Sequence, residues 1–297
     1  MKTQVIALGA TLLLAAPFAT PALADPTGFI SIGAGPAGTE IDTGSDTFNL
    51  DGYALEALLS GSIMLTPVLG IQGDVQFTSR TLDDSGDDIT TNSFDGALHG
   101  FYREADKFLV GGFVQIGRDD LSYNSASEGT IDRAYVGGEA QVYFDNLTLY
   151  GQAGMQQFDL SSNSPTSIGL NGWFANAEVR YFLTPNLRIE ARAGFNTLDF
   201  EILSATFDTV TIGAGVEYKL ESLPISLFAK YDYSTTSAEA LMSDDATVGN
   251  HRFLVGARFA LGEDSLLDRD RSGASLRPVQ GTNGFLETFG GFGGENP

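Results

Sequence analysis

The chain contains no cysteine. That excludes disulfide staples, thiolate metal sites and a cysteine-linked lipid anchor. Histidine is almost as scarce, with only His99 and His251, and two isolated imidazoles do not make a metal centre. Neither has the serine two residues away that a histidine-assisted hydroxyl nucleophile would need, so nothing marks an enzyme and no cofactor is expected. Bases are few: 16 Lys and Arg stand against 38 Asp and Glu, a formal net charge of −22. This acidity argues against nucleic acid as a partner and against a basic patch for anionic lipid. No stretch beyond the first residues offers ~18 consecutive apolar residues, so the sequence holds no helical span. An exported chain without one is either soluble or a closed barrel.

Export is indicated at the start. Lys2 supplies a positive n-region, Val5 to Ala19 an apolar h-region, and Ala22-Leu23-Ala24 a small-residue cleavage site before Asp25. Residues 1–24 therefore read as a signal peptide, too short in its apolar part to span a bilayer.

From about residue 27 the chain alternates with period two. Ala134, Val136, Gly138, Ala140, Val142 and Phe144 share one face, and Arg133, Tyr135, Gly137, Glu139, Gln141 and Tyr143 share the other. Leu187, Ile189, Ala191, Ala193 and Phe195 likewise oppose Arg188, Glu190, Arg192 and Asn196. Such alternation predicts strands with one oily and one polar face. The pattern predicts twelve, over 27–36, 51–65, 68–81, 92–103, 107–118, 131–144, 147–159, 171–183, 186–199, 206–220, 224–236 and 250–262. Each oily face persists for about nine residues, the length a tilted strand needs to cross hydrocarbon.

An outward Leu or aromatic recurs just ahead of alternate turns: Leu65, Tyr102, Phe144, Tyr181, Tyr218 and Phe259, spaced by 37, 42, 37, 37 and 41. Rings at a fixed depth are the mark of an interfacial belt, and Phe77, Trp173, Phe195 and Tyr233 are candidates for the opposite one. Turns such as Asp145-Asn146 are tight, whereas the connections near 37–50, 82–91, 119–130, 160–170, 200–205 and 237–249 are longer. Short turns on one side and long loops on the other match the periplasmic and extracellular ends of a membrane barrel. An even strand count puts both chain ends on the short-turn side.

On these features the chain resembles the porin-like outer-membrane barrels of Gram-negative bacteria. The last strand, with Gly256, Phe259 and Leu261, is similar to the assembly signal of such barrels, but Leu254 stands where a polar residue is usual and the chain runs on to Pro297. The expected fold is all-β, an antiparallel transmembrane barrel of 12 strands over residues 25–262. The resemblance implies the outer membrane, its lipid and lipopolysaccharide, and its assembly machinery as partners. A soluble β-sandwich is the competing fold, disfavoured because so many Gly and Ala on the oily face would fill its core thinly.

Turning every polar face inward defines the lumen. The acids are Glu56, Asp74, Asp95, Glu139, Glu178, Glu190, Glu217 and Asp232; the bases are Arg80, Arg103, Arg133, Arg180, Arg188, Arg192, Lys219, Lys230, Arg252 and Arg258. The signs nearly cancel, so either the groups pair and close the bore, or Arg188, Arg192 and Arg180 form a basic stripe for small anions. The expected function is a passive channel for small polar or ionic solutes, with a non-conducting structural or adhesive barrel as second reading and a lipid-modifying enzyme as third. The loop at Asp83–Asp88 lacks the spacing of a calcium loop. The segment 263–297, with its mixed charges and Gly290-Gly291-Phe292-Gly293-Gly294, reads as a disordered periplasmic tail; a bolder reading folds it into the pore through Phe285, Phe289 and Phe292.

Overall fold

A computed structural model describes residues 26–44, 46–84, 86–124, 126–162, 167–200, 205–239 and 247–279. The signal peptide and the three tail phenylalanines lie outside these residues. Twelve antiparallel strands close into one barrel: β1 Thr27–Asp42, β2 Thr47–Met64, β3 Leu69–Asp84, β4 Asp87–Glu104, β5 Phe108–Tyr123, β6 Ala126–Phe144, β7 Leu147–Ser162, β8 Ser167–Thr184, β9 Leu187–Phe200, β10 Ala205–Lys219, β11 Ile225–Glu239 and β12 Thr247–Leu261. Each strand pairs with its sequence neighbours, and β1 closes on β12 with Gly28 opposite Leu261. Closure leaves no edge, so the backbone is satisfied within the wall. Pro36 lacks an N–H, and the β1–β12 register is interrupted there, between Ala34↔Val255 and Ala37↔Arg252.

The outward face is an apolar band of limited height. On β5 it runs through Phe108, Val110, Gly112, Val114 and Ile116, and then meets Arg118, whose Nε donates to outward Asp132 of β6 at 2.7 Å. The interval from 108 to 116 is the nine residues that hydrocarbon requires. All six turn-side belt residues point out, from Tyr102 at 37% exposed to Phe144 at 52%. Trp173 and Phe195 face out together at the opposite level, ring centroids 5.1 Å apart.

At the turn end the observed strand limits fall within one residue of those expected. At the other end every strand runs one to six residues further than the alternation suggested. Most of the long loops expected there are therefore strand: 119–130 is β5 continuing to Tyr123 and β6 beginning at Ala126. The reason is that hydrogen-bonded pairing does not stop where the bilayer does. Beyond the apolar band both faces can be polar, and the alternation that marks a strand in sequence fades.

The inner face is also less uniformly polar than expected. Toward the loop end Phe113, Ile131, Tyr135, Phe158, Leu170, Phe174, Leu198, Phe200 and Phe207 form a buried cluster inside the barrel. Leu254, the odd residue of the last strand, is buried inside against Ala37 and Ala54.

Residues 263–279 correct the expectation of a disordered periplasmic tail. They fold into the lumen. Helix α1, Leu266–Ser272, is capped by Ser265, whose Oγ accepts from Asp268 N at 2.9 Å. It sits at the turn end, where Leu267 N donates to Pro185 O (3.0 Å) and Arg271 Nη2 to Asp145 O (2.8 Å). After Gly273 the chain rises through the bore. Leu276 packs with Phe101, Leu109, Tyr143 and Tyr150, and Val279 joins the loop-end aromatic cluster. A local reading missed this because mixed charge looks solvated unless its partners, far away in sequence, are known.

Candidate functional site: the barrel interior

The tail is held by its backbone. Gln72 of β3 donates Nε2–H to Leu276 O (2.9 Å) and accepts from Leu276 N at Oε1 (3.1 Å). Gln115 of β5 does the same to Val279, at 2.9 and 2.7 Å. Gln152 of β7 donates to Arg277 O (2.8 Å), Gln141 of β6 to Ser275 O (3.2 Å), and Arg103 of β4 to Gly273 O (3.0 Å) and Ser275 Oγ (2.9 Å). An extended strap lies on the β3–β8 wall, and β9–β12 supply the wall shared by the spaces beside it. These inward glutamines on alternating positions were the sequence signal for a bound strand, although the tail residues they hold carry no mark of their own.

The charges expected to line the lumen all lie on the inner face, and nearly all are paired. On the strap side, His99 is gripped between Asp74 (Nε2–Oδ2, 3.0 Å) and Glu139 (Nδ1–Oε1, 2.7 Å), and Glu139 also accepts from Tyr150 Oη (2.8 Å). Asp95 shares Arg133 with Asp119, at 3.1 and 2.7 Å. Arg180 reaches Glu178 (2.5 Å) and Asp270 of α1 (2.7 Å). Across the bore Lys230 meets Glu56 at 2.5 Å, with Arg252 Nη1 at 3.4 Å from the same carboxylate. Asp232 takes Arg252 (3.2 Å) and Arg192. Glu217 gathers Arg188 (2.9 Å), Arg258 (2.5 Å) and Arg269 of α1 (2.8 Å). Glu190 bonds Arg188 (2.9 Å) and the tail's Arg277 (2.7 Å). Arg80 donates to Gly38 O (2.6 Å), Thr39 Oγ1 (2.9 Å) and Asn250 Oδ1 (3.0 Å). The free basic stripe of Arg180, Arg188 and Arg192 is thus replaced by ion pairs along the wall. In a poorly hydrated interior an unpaired guanidinium is costly, and a neighbouring strand places a carboxylate within reach.

Glycine makes some of these pairs possible. Arg192, Gly213 and Asp232 stand side by side on β9, β10 and β11. A Cβ on Gly213 would lie 2.5 Å from Arg192 Nε and from Asp232 Oδ1, so a side chain there would occupy the space the pair bridges. Asp95, Gly117 and Arg133 repeat the arrangement on β4, β5 and β6.

Two spaces beside the strap are bounded by described residues. A cavity of about 120 Å³ in the loop-end half is bounded by Phe174, Glu178, Arg192, Asp232, Asn250 and Arg252 and, on the tail, Arg277–Val279. A smaller one of about 40 Å³ in the turn-end half is bounded by Glu56, Arg188, Glu190, Glu217, Lys230 and Arg258. Arg277 and Pro278 border both.

An apolar exterior, a closed sheet and a charged interior define a β-barrel of the bacterial outer-membrane class. Comparison of folds agrees. The chain is similar to an outer-membrane channel from Pseudomonas putida F1, with a TM-score of 0.58 and 11% identity over 79% of this chain and 95% of that one. Weaker likeness extends to the β-domain of the Bordetella autotransporter BrkA (TM-score 0.49, 15% identity, 80% and 100% covered). The translocator domain of the autotransporter NalP from Neisseria meningitidis is comparable (TM-score 0.48, 13% identity, 78% and 88% covered). No protein-family model matches the sequence, and no curated protein matches it. At 11% identity the likeness to the Pseudomonas channel supports the fold alone.

Proposed function

We propose that this barrel is a narrow, passive channel for small polar solutes, and that its own C-terminal segment sets the bore. One observation carries the reading: the strap is held by the β3–β8 side, while the two cavities share a wall of β9–β12, with Arg277 and Pro278 bordering both. A lumen lined by charge and crossed by one removable segment suits a size-limited path better than a packed core does. The reading assigns no catalysis. His99 is taken up by two carboxylates, and His251 faces outward from β12. The expected partners are lipid and lipopolysaccharide around the wall, the barrel-assembly machinery, and the solutes themselves.

A second reading, a non-conducting structural barrel, is favoured by the extent of ion pairing. Planar-bilayer recording of refolded protein separates the two. The channel reading expects small unitary steps from the full chain and at least several-fold larger steps after residues 263–297 are removed. Silence in both forms would reject it in favour of the structural barrel.

A further inference from the structure

The larger cavity has a definite chemistry. Among the described residues the guanidinium groups of Arg192, Arg252 and Arg277 border it, against two carboxylates, Glu178 and Asp232. Glu56 and Glu190 also reach Arg252 and Arg277, but they have Lys230 and Arg188 as further partners, so the positive excess survives.

Hydrogen bonding points the same way. Asn250 is 6% exposed. Its Oδ1 accepts from Thr39 Oγ1 at 2.7 Å and from Arg80 Nη1 at 3.0 Å, which fixes the orientation of the amide. Among the described residues its Nδ2 is buried without a hydrogen-bond partner, as is Arg192 Nε. Buried donors left unmade are costly, and an anionic acceptor between them relieves the cost. Phe174, Pro278 and Val279 supply apolar lining to the same cavity. The volume, about 120 Å³, is of the order of a cavity that accepts benzene.

We propose that this cavity is a binding site for a small organic monocarboxylate, propionate to benzoate in size. The carboxylate lies toward Asn250 and Arg192, and the apolar body against Phe174 and Val279. The site goes beyond passive conduction, because it selects among solutes by charge and shape.

Isothermal titration of the refolded full chain in detergent, at fixed ionic strength, tests this with benzoate and propionate, using benzamide and chloride as controls. Asn250→Asp keeps an oxygen for Thr39 and Arg80 but replaces the free donor with negative charge. The expected result is saturable binding of at least one carboxylate, no saturable binding of benzamide, and at least a 10-fold weaker affinity in Asn250→Asp. Arg192→Lys, which keeps a cation for Asp232 while removing Nε, is expected to weaken binding in the same direction and serves where the first variant does not refold. Three outcomes would each overturn the site: no carboxylate binding, equal binding of benzamide, or native affinity in a folded variant. The two readings fail separately. A silent barrel that still binds benzoate loses the channel and keeps the site, whereas a conducting barrel that binds no carboxylate does the reverse.

Discussion

At the scale of the residue, the tail is held by groups that read backbone and by one acid that is held out of water. Gln72 and Gln115 use both ends of their amides on the backbone N–H and C=O of one residue each, so they fix the strap whatever its side chains. Glu263, just past β12, departs from the closely paired interior. Its side chain is 2% exposed and its nearest cation is Arg269, 3.9 Å away. Burial pushes its pKa up to about 7 from an ordinary 4.5. An acid whose folded pKa is raised favours the docked state at low pH, and the advantage is lost as pH rises from 4.5 through 7. The shift corresponds to at most about 3 kcal/mol. Hydrogen exchange of residues 266–279, corrected for intrinsic rate, is expected to be slower at pH 5 than at pH 8, and Glu263→Gln is expected to abolish the difference. Equal pH dependence in both forms would refute the role of Glu263. By the same measurement, replacing Gln72 and Gln115 together by Ala is expected to speed exchange of 275–279 roughly tenfold or more, because several bonds of about 1 kcal/mol each are lost; native protection would show that the strap is held by its apolar side chains instead.

At the scale of the element, the strands were legible where two environments alternate and illegible where they do not. The stretch from Phe108 to Ile116 reads as a strand because lipid and lumen demand opposite residues at successive positions. The continuation to Tyr123 carries Asp119, Asp120 and Ser122, and there only the ladders to β4 and β6 make it a strand. A single substitution distinguishes the two zones. Val114, outward and near the middle of the band, is expected to cost about 2–4 kcal/mol when replaced by Arg, against ~0–1 for Asp120→Arg beyond it. Urea unfolding of the two variants in lipid vesicles measures the difference, and equal costs would move the bilayer boundary. Inward phase was legible on the same grounds: Arg188, Glu190 and Arg192 lie inside as the alternation requires. Their partners were not, since Glu217 and Asp232 become neighbours only through the register of β9, β10 and β11.

At the scale of the whole molecule, closure and filling are separable. The wall is complete without the tail, because β1 pairs directly with β12. Removal of residues 263–297 is therefore expected to leave a barrel that still migrates differently boiled and unboiled on a denaturing gel. Loss of that shift would make the tail part of the fold rather than an occupant of it.

The order of strands, their number, the outward belts and the inward charges were determined by the sequence alone. Each arises from a local rule: lipid on one side of a pleat, water or counter-charge on the other, a turn between. The tertiary structure alone decided which charges pair, where the inner face turns apolar, and that the last described residues climb back through the bore. Those outcomes depend on groups such as Gln72 and Leu276, 204 positions apart, which meet only once the sheet has closed around them.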